Sequence, residues 1–471
     1  MSDDITHFTL AAAAKAIAAK DLSSVELTEA CLKRIDTHAA KIDSIADIDP
    51  DGAMTQARAA DDALAKGAAT GAMHGVPLAH KDMFYRAGRI SGCGSKIRAD
   101  FVPDETGTVL DRLDGAGALD IARLNMVEFA LGVTGHNEVM PTPRNPWNTA
   151  HITGGSSSGS GASVAARLVF GAMGSDTGGS IRFPACCNGV TGIKPTCTRV
   201  SRFGAMPLSP SLDTLGPLAR TVEDATMMFQ AIAGHDPRDP TSSRLAVPDY
   251  LGGLGTDLKG LRVGVPESYF YDPVEPAVAD VVRASLDVLE AAGAKLVGVS
   301  IPDSVAVTNP LTSLITATEG ASIHQPWLQN RPKDYGNQTR VRMSSGLTTP
   351  ATRYLQALNL RAPLLAEFTE AVFDKVDVLH CPVMITQIPT IAETDVAANP
   401  GFADFITKMG HCTRPINFLG LPSVTVPCGF TPNGLPTAFQ VVARPFDEAT
   451  MLRVGHAYQM ETDWHTRAPK L

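Results

Sequence analysis

Residues 153–161 read Thr-Gly-Gly-Ser-Ser-Ser-Gly-Ser-Gly, and the chain runs directly from them into the apolar stretch 162–170. This passage restricts the fold more than any other. A glycine–serine run is ordinarily a flexible linker. A linker does not usually enter a segment that must be buried without a break, so here that reading fails on context. A second run follows: Gly174-Ser175-Asp176-Thr177-Gly178-Gly179-Ser180-Ile181-Arg182-Phe183-Pro184. Two consecutive glycines ahead of a serine let the backbone turn tightly and aim several N–H groups at one point. An oxyanion hole needs that arrangement, and the candidate donors are the amides of Thr177, Gly178, Gly179 and Ser180. The competing reading is a tight turn around a buried serine.

Rival motifs are tested by context. Gly155-Ser156-Ser157-Ser158-Gly159 has the form of a nucleophile elbow, but the preceding residues 145–152 are polar and broken by proline, where that elbow needs an apolar strand. A phosphate-binding loop ends in Gly-Lys-Ser/Thr, which is absent, and the dinucleotide pattern fails at Val164. No lysine follows a serine by three residues, so any lysine base comes from elsewhere in the chain. Lys81 is the candidate, because it ends the apolar run 76–79 within Gly75-Val-Pro-Leu-Ala-His80-Lys81-Asp82. Burial there would lower its pKa and make the neutral amine a competent base. The alternative is a lysine that reaches solvent or pairs with Asp82.

The 471 residues suffice for two or three domains or for one large α/β unit, and 44% apolar content supports a large core. Residues 8–66 are helical in pattern, with Ser23 and Glu26 set for a capping box. Beyond them, short apolar runs alternate with glycine- and proline-rich turns and helical segments. Residues 260–265 and 276–292 read as a strand followed by an amphipathic helix, 423–427 and 439–443 as paired strands, and 447–460 as a closing helix capped by Asp447. The architecture expected is α/β. Residues 235–244 are the candidate linker. A net charge of −9 argues against nucleic-acid and anionic-membrane partners. Eight cysteines without a C-x-x-C pair read as reduced thiols in the cytoplasm. The acidic start lacks the pattern of a secretory signal, and no stretch reaches the length of a membrane span.

Together, Gly-Val-Pro-Leu-Ala-His-Lys81-Asp82, Gly154-Gly155-Ser156-Ser157-Ser158-Gly159 and Asp176-Thr-Gly-Gly-Ser180-Ile-Arg-Phe-Pro184 resemble the amidase signature family. The likeness extends through Met126-Val-Glu128-Phe129 to Gly420-Leu-Pro-Ser423 and Phe446-Asp-Glu-Ala449. It implies one large α/β/α domain around a mixed, mostly parallel sheet. Residues 1–66 would pack on the core as a helical segment, and 67–471 would form the catalytic domain with a variable cap or insertion around 240–390. It also implies Ser180 as nucleophile, with Ser156, held by a cis peptide from Gly155, passing a proton to Lys81. Ser157 would support this network, and Asp176 and Arg182 would form a structural pair. No metal or organic cofactor is called for. His80 departs from the small or aliphatic residue usual before the lysine. It either points into the fold or faces Lys81 and tunes it.

The expected activity is hydrolysis of an aryl or alkyl carboxamide by a stand-alone amidase through an acyl-enzyme. Phe129, Leu131, Met384 and Ile388 are the candidate pocket lining. The segment Met83-Phe84-Tyr85 favours this over the alternative, the A subunit of a tRNA-dependent amidotransferase that releases ammonia from glutamine. The expected partner is a small-molecule amide, with no nucleic acid, no membrane and a homodimer as the candidate assembly. A catalytically dead scaffold is disfavoured because all three triad residues are present.

Overall fold

The short apolar runs become the strands of an 11-stranded mixed sheet. The computed structural model describes residues 5–69, 71–395 and 401–471. The first strands are β1 (Ile45–Ile48), β2 (Pro77–Lys81), β3 (Leu119–Leu124) and β4 (Gly171–Asp176). Next come β5 (Thr191–Lys194), β6 (Thr214–Ala219), β7 (Arg262–Pro266) and β8 (Lys295–Val299). The last are β9 (Val378–Pro382), β10 (Ser423–Phe430) and β11 (Pro436–Ala443). They lie in the order β1-β3-β2-β4-β6-β5-β10-β11-β9-β7-β8. β2 is parallel to β3 and β4, and β7 is parallel to β8 and β9, whereas β10 and β11 form the expected antiparallel hairpin. Every residue of β2, β4, β5, β6, β9 and β11 is buried, as strands covered by helices on both faces require.

The helices follow local rules. Ser23 and Glu26 form the capping box that opens Ser24–Ile42. Pro276 occupies the first turn of Pro276–Ala291, where its missing N–H costs nothing, and Asp447 caps Glu448–Met460. Pro276–Ala291 and Glu448–Met460 pack on β10 and β11, and Val222–Ile232 packs on β5 and β6. No helix among the described residues is long and apolar enough to cross a membrane.

Three local differences from the sequence reading have physical causes. The helical pattern over 8–66 is interrupted by β1, because Asp43 adopts a left-handed conformation (φ 49°) and ends the helix before Ile45 pairs with Leu124. The apolar stretch 162–170 does not begin its own helix: the helix spans Ser158–Ala165, so the end of the glycine–serine run is itself helical. Its glycines answer close backbone contacts: a Cβ on Gly159 would sit 2.4 Å from the Asn125 carbonyl oxygen, and one on Gly161 would sit 2.8 Å from that of Pro184. Residues 235–244 are strapped to the body of the protein. Ser201 donates to Asp236 at 2.6 Å, and the Arg202 N–H donates to Asp239 at 2.8 Å. Residues 240–390 supply β7, β8 and β9 along with the helical group over 308–368.

Candidate active site

The candidate site residues gather at the C-terminal ends of two parallel neighbours, β2 and β4, where open α/β sheets place their ligands. Lys81 is the last residue of β2, and Ser175 and Asp176 end β4. Ser156 and Ser157 lie just ahead of Ser158–Ala165, a helix that packs on both strands. Ser180 lies just ahead of Arg182–Asn188.

Lys81 is wholly buried. Its Nζ lies 2.7 Å from Ser156 Oγ, 2.8 Å from Ser175 Oγ and 3.2 Å from Ser157 Oγ. Burial pushes the amine down to about 7, against the opposing pull of Asp213 and Asp176. Such an amine exchanges its proton near neutrality. The Gly155–Ser156 peptide is cis. The Ser157 N–H donates to the Ser180 carbonyl at 3.2 Å, which ties the two serine runs together. His80 points to the other face of β2, as strand alternation demands, and meets Asp120 Oδ1 at 2.8 Å. It belongs to a group with Asp120 and Arg86 and does not touch Lys81.

Asp176 organises the serine loop. Its carboxylate accepts the N–H groups of Gly179 at 2.8 Å and Ile181 at 3.1 Å, together with Arg182 Nε at 3.0 Å and Asn417 Nδ2 at 2.7 Å. Burial alone would raise this carboxyl, but the adjoining Arg182 guanidinium and hydrogen bonds hold it well below the usual range. Arg182 reaches onward to Gln440 Oε1 on β11 at 3.0 Å and to the Thr413 carbonyl at 3.0 Å. Gly179 turns with φ 127°, and a Cβ there would meet the Phe183 ring at 2.4 Å. Of the four candidate oxyanion donors, Gly179 gives its N–H to Asp176. The N–H groups of Gly178 and Ser180 have no acceptor among the described residues. Asp176→Asn leaves the buried Arg182 without its counter-charge, so it is expected to destabilise the protein by about 3–5 kcal/mol. The denaturant midpoint measures this, and an unshifted midpoint would refute a structural role for the pair.

Ser180 opens into a narrow cavity of about 40 Å³. This shares Leu131, Ser313, Thr316, Arg342 and Arg414 with a wider one of about 360 Å³, so the two form a funnel. A further hollow of about 220 Å³, bordered by Arg202, Asp213 and Asp239, holds no hydroxyl or thiol nucleophile. Leu131 lines both parts of the funnel, whereas Phe129, Met384 and Ile388 line neither. Phe129 packs instead against His324, with ring centroids 4.3 Å apart, and against Trp327 and Tyr335. Met384 and Ile388 belong to a core cluster with Phe183 and Cys187. An apolar residue near a reactive motif serves core and cavity wall equally well, which is why sequence reasoning assigned these three to the pocket.

Sequence reasoning also missed four contributors. Ser175, inside the second run, is a direct partner of Lys81, and its place one residue before Asp176 was the available signal. Asn417 braces Asp176 from a distant helix, with no local signal. Arg342 and Arg414 sit in the funnel wall. Arg414 Nη1 donates to Asn309 Oδ1 at 2.9 Å, and Arg342 Nη1 donates to the Leu131 carbonyl at 3.0 Å. Burial, then the neighbouring Arg342 charge, lowers Arg414 to about 9.

Comparison with known proteins places this geometry. The amidase family model matches residues 26–452. The A subunit of the Chloroflexus aurantiacus glutamyl-tRNA(Gln) amidotransferase is 40% identical, with 99% of each chain covered. The crystal structure of the A subunit of the Thermotoga maritima glutamyl-tRNA(Gln) amidotransferase superposes with a TM-score of 0.82 at 28% identity, covering 99% of this chain and 98% of that one. A structure described as a vestigial protein complex, bearing on the origins of an s-triazine catabolic enzyme, gives 0.88 at 33% identity, covering 96% and 98%. The full-length matches to these A subunits overturn the expectation of a stand-alone amidase for aryl or alkyl amides. They equally correct the expected partners, a small-molecule amide with no nucleic acid and a homodimer, because these relatives are named as subunits of a tRNA amidotransferase. Met83 and Phe84 carry no information on that choice, since both are buried core residues. The match over residues 26–452, with relatives 40% identical along 99% of the chain, shows that the chain belongs to the amidase family.

Proposed function

We propose that this chain is the amide-hydrolysing A-type subunit of a tRNA-dependent amidotransferase, releasing ammonia from glutamine in the cytoplasm for transfer to a tRNA-borne substrate. The observation that carries the reading is the full-length match to relatives named as that subunit. The geometry supports the chemistry. In this mechanism Ser180 attacks the carboxamide carbon while its proton passes through Ser156 to neutral Lys81. The free N–H groups of Gly178 and Ser180 face the charge that develops on the carbonyl oxygen. The same relay returns a proton to the departing nitrogen, so ammonia leaves and an acyl-enzyme remains. Water then adds, its proton taken by the relay, to release the acid. The net reaction is glutamine plus water to glutamate plus ammonia.

The test is to express the chain with and without the remaining subunits of such an assembly and to measure co-purification and glutamate release from glutamine. Stable co-purification with glutamine hydrolysis is expected. A chain that ignores both partners and glutamine while cleaving other amides would remove the assignment.

A further inference from the structure

We propose that Asp213 is a positioning residue for the proton relay: its carboxylate anchors the Thr177 side of the Ser180 loop and is the counter-charge that Lys81 faces when it carries the proton. The inference rests on the relay read for Ser180, Ser156 and Lys81, and adds the group that balances it. Asp213 lies directly ahead of β6, whose Thr214 stands opposite Asp176 at the end of β4. It is buried, and both of its oxygens are held. Oδ1 accepts the Thr177 hydroxyl at 2.5 Å, and Oδ2 accepts the N–H groups of Leu208 and Ser209, both at 2.9 Å. Thr177 and Leu208 line the narrow cavity together with Ser180, so one carboxylate ties two parts of that wall.

The charges of the relay give Asp213 its second task. As Ser180 attacks, its proton ends on Lys81 Nζ, and an equal negative charge forms on the carbonyl oxygen. Backbone amides answer the oxyanion. The ammonium forms in a wholly buried space, where an unbalanced charge is costly. Asp213, Asp176 and Cys93 bear on Lys81, Asp213 most strongly. Asp176 is already paired with Arg182 at 3.0 Å and also answers the buried Lys194. Burial pushes the Cys93 thiol up to about 12, so it carries no charge near neutrality. Burial raises the Asp213 carboxyl too, but its hydroxyl and two amide donors favour the ionised form. Arg202 faces it across a hollow that Arg238 and Asp239 also border. Those arginines have carboxylate partners of their own, Asp239 at 3.8 Å from Arg202 and Asp111 at 3.0 Å from Arg238. The carboxylate left to balance the ammonium is therefore Asp213.

Asp213→Asn keeps the shape and removes the charge. Its carbonyl can accept the Leu208 and Ser209 N–H groups, and its NH₂ can donate to the Thr177 hydroxyl. Glu319 holds the same loop from the other side, accepting Ser209 Oγ at 2.6 Å and the Ser211 N–H at 3.0 Å. Without the carboxylate the ammonium is disfavoured, so Lys81 gives up its proton at lower pH. The acid limb of fluorophosphonate labelling at Ser180, and of glutamine hydrolysis, is expected to move down by about one pH unit or more. The plateau above it should fall about 10- to 100-fold, chiefly in kcat, because the base is weaker and the intermediate less stabilised. A thermal melt checks the fold. Asp213→Ser, smaller and equally neutral, should show the same displaced limb, and it supplies the reading if the asparagine variant does not fold. A limb that stays at the parent's pH or moves up in the folded variants would overturn the proposal, since a purely structural role lowers the plateau alone. Labelling needs no donor amide, so this result does not depend on glutamine being the substrate. An unmoved limb that Lys81→Met abolishes removes Asp213 and leaves the relay standing. A limb that survives Lys81→Met removes the relay, and the role of Asp213 with it.

Discussion

Replacing Ser180 by alanine is expected to lower amide hydrolysis by about 10⁴-fold or more and to abolish covalent labelling by a fluorophosphonate, with the fold intact. The magnitude follows from losing the acyl-enzyme route altogether, which leaves only binding and oxyanion stabilisation to act on water. The fold should survive because the Ser180 side chain is small, and the bonds that brace its loop come from Asp176 to neighbouring amides and to Arg182. Mass spectrometry of the labelled protein beside a thermal melt checks both halves. Persistent labelling in the variant would move the nucleophile elsewhere, and no labelling of the folded parent would leave the site without a reactive serine.

Lys81→Met should cost nearly as much, about 10³-fold or more in kcat/KM. Methionine keeps most of the volume, so the loss reports the amine rather than a cavity. The pH dependence gives the sharper reading. Only the unprotonated amine accepts the Ser180 proton, and burial sets its pKa at about 7. In the parent, kcat/KM should therefore fall as pH drops below about 7 and level off above it. That acid limb should vanish from the residual activity of Lys81→Met. If the variant keeps the limb at the same pH, another group supplies the base.

The Ser180 loop was the most legible part of the candidate site, because two glycines before a serine have few uses in a buried turn. Lys81 and Ser156 were legible only through family likeness. They are 75 residues apart, and their contact depends on β2 lying beside β4, a non-local pairing that no local pattern announces. The capping box at Ser23 and the β10–β11 hairpin were readable because their signals lie within a few residues. Arg342 and Arg414 were invisible for the opposite reason: an arginine in sequence reads as a surface residue, and only the packing of distant helices turns these two inward. The choice between free hydrolase and component of a larger assembly was not legible from Met83 and Phe84, since core residues report packing and not company.

The hydroxyl and amine cluster and much of the funnel wall beside it come from separate stretches of chain. Lys81, Ser156, Ser157, Ser175 and Ser180 come from the first 180 residues, whereas Thr312, Thr316, Arg342 and Arg414 arrive from beyond residue 300. The cluster and most of the wider wall are therefore inherited on different segments, with Leu131 reaching the wall from the first. Drift in the later segment can re-aim the enzyme at a new amide while the reactive cluster stays untouched, and an exchange of that segment between relatives is a direct route to new specificity.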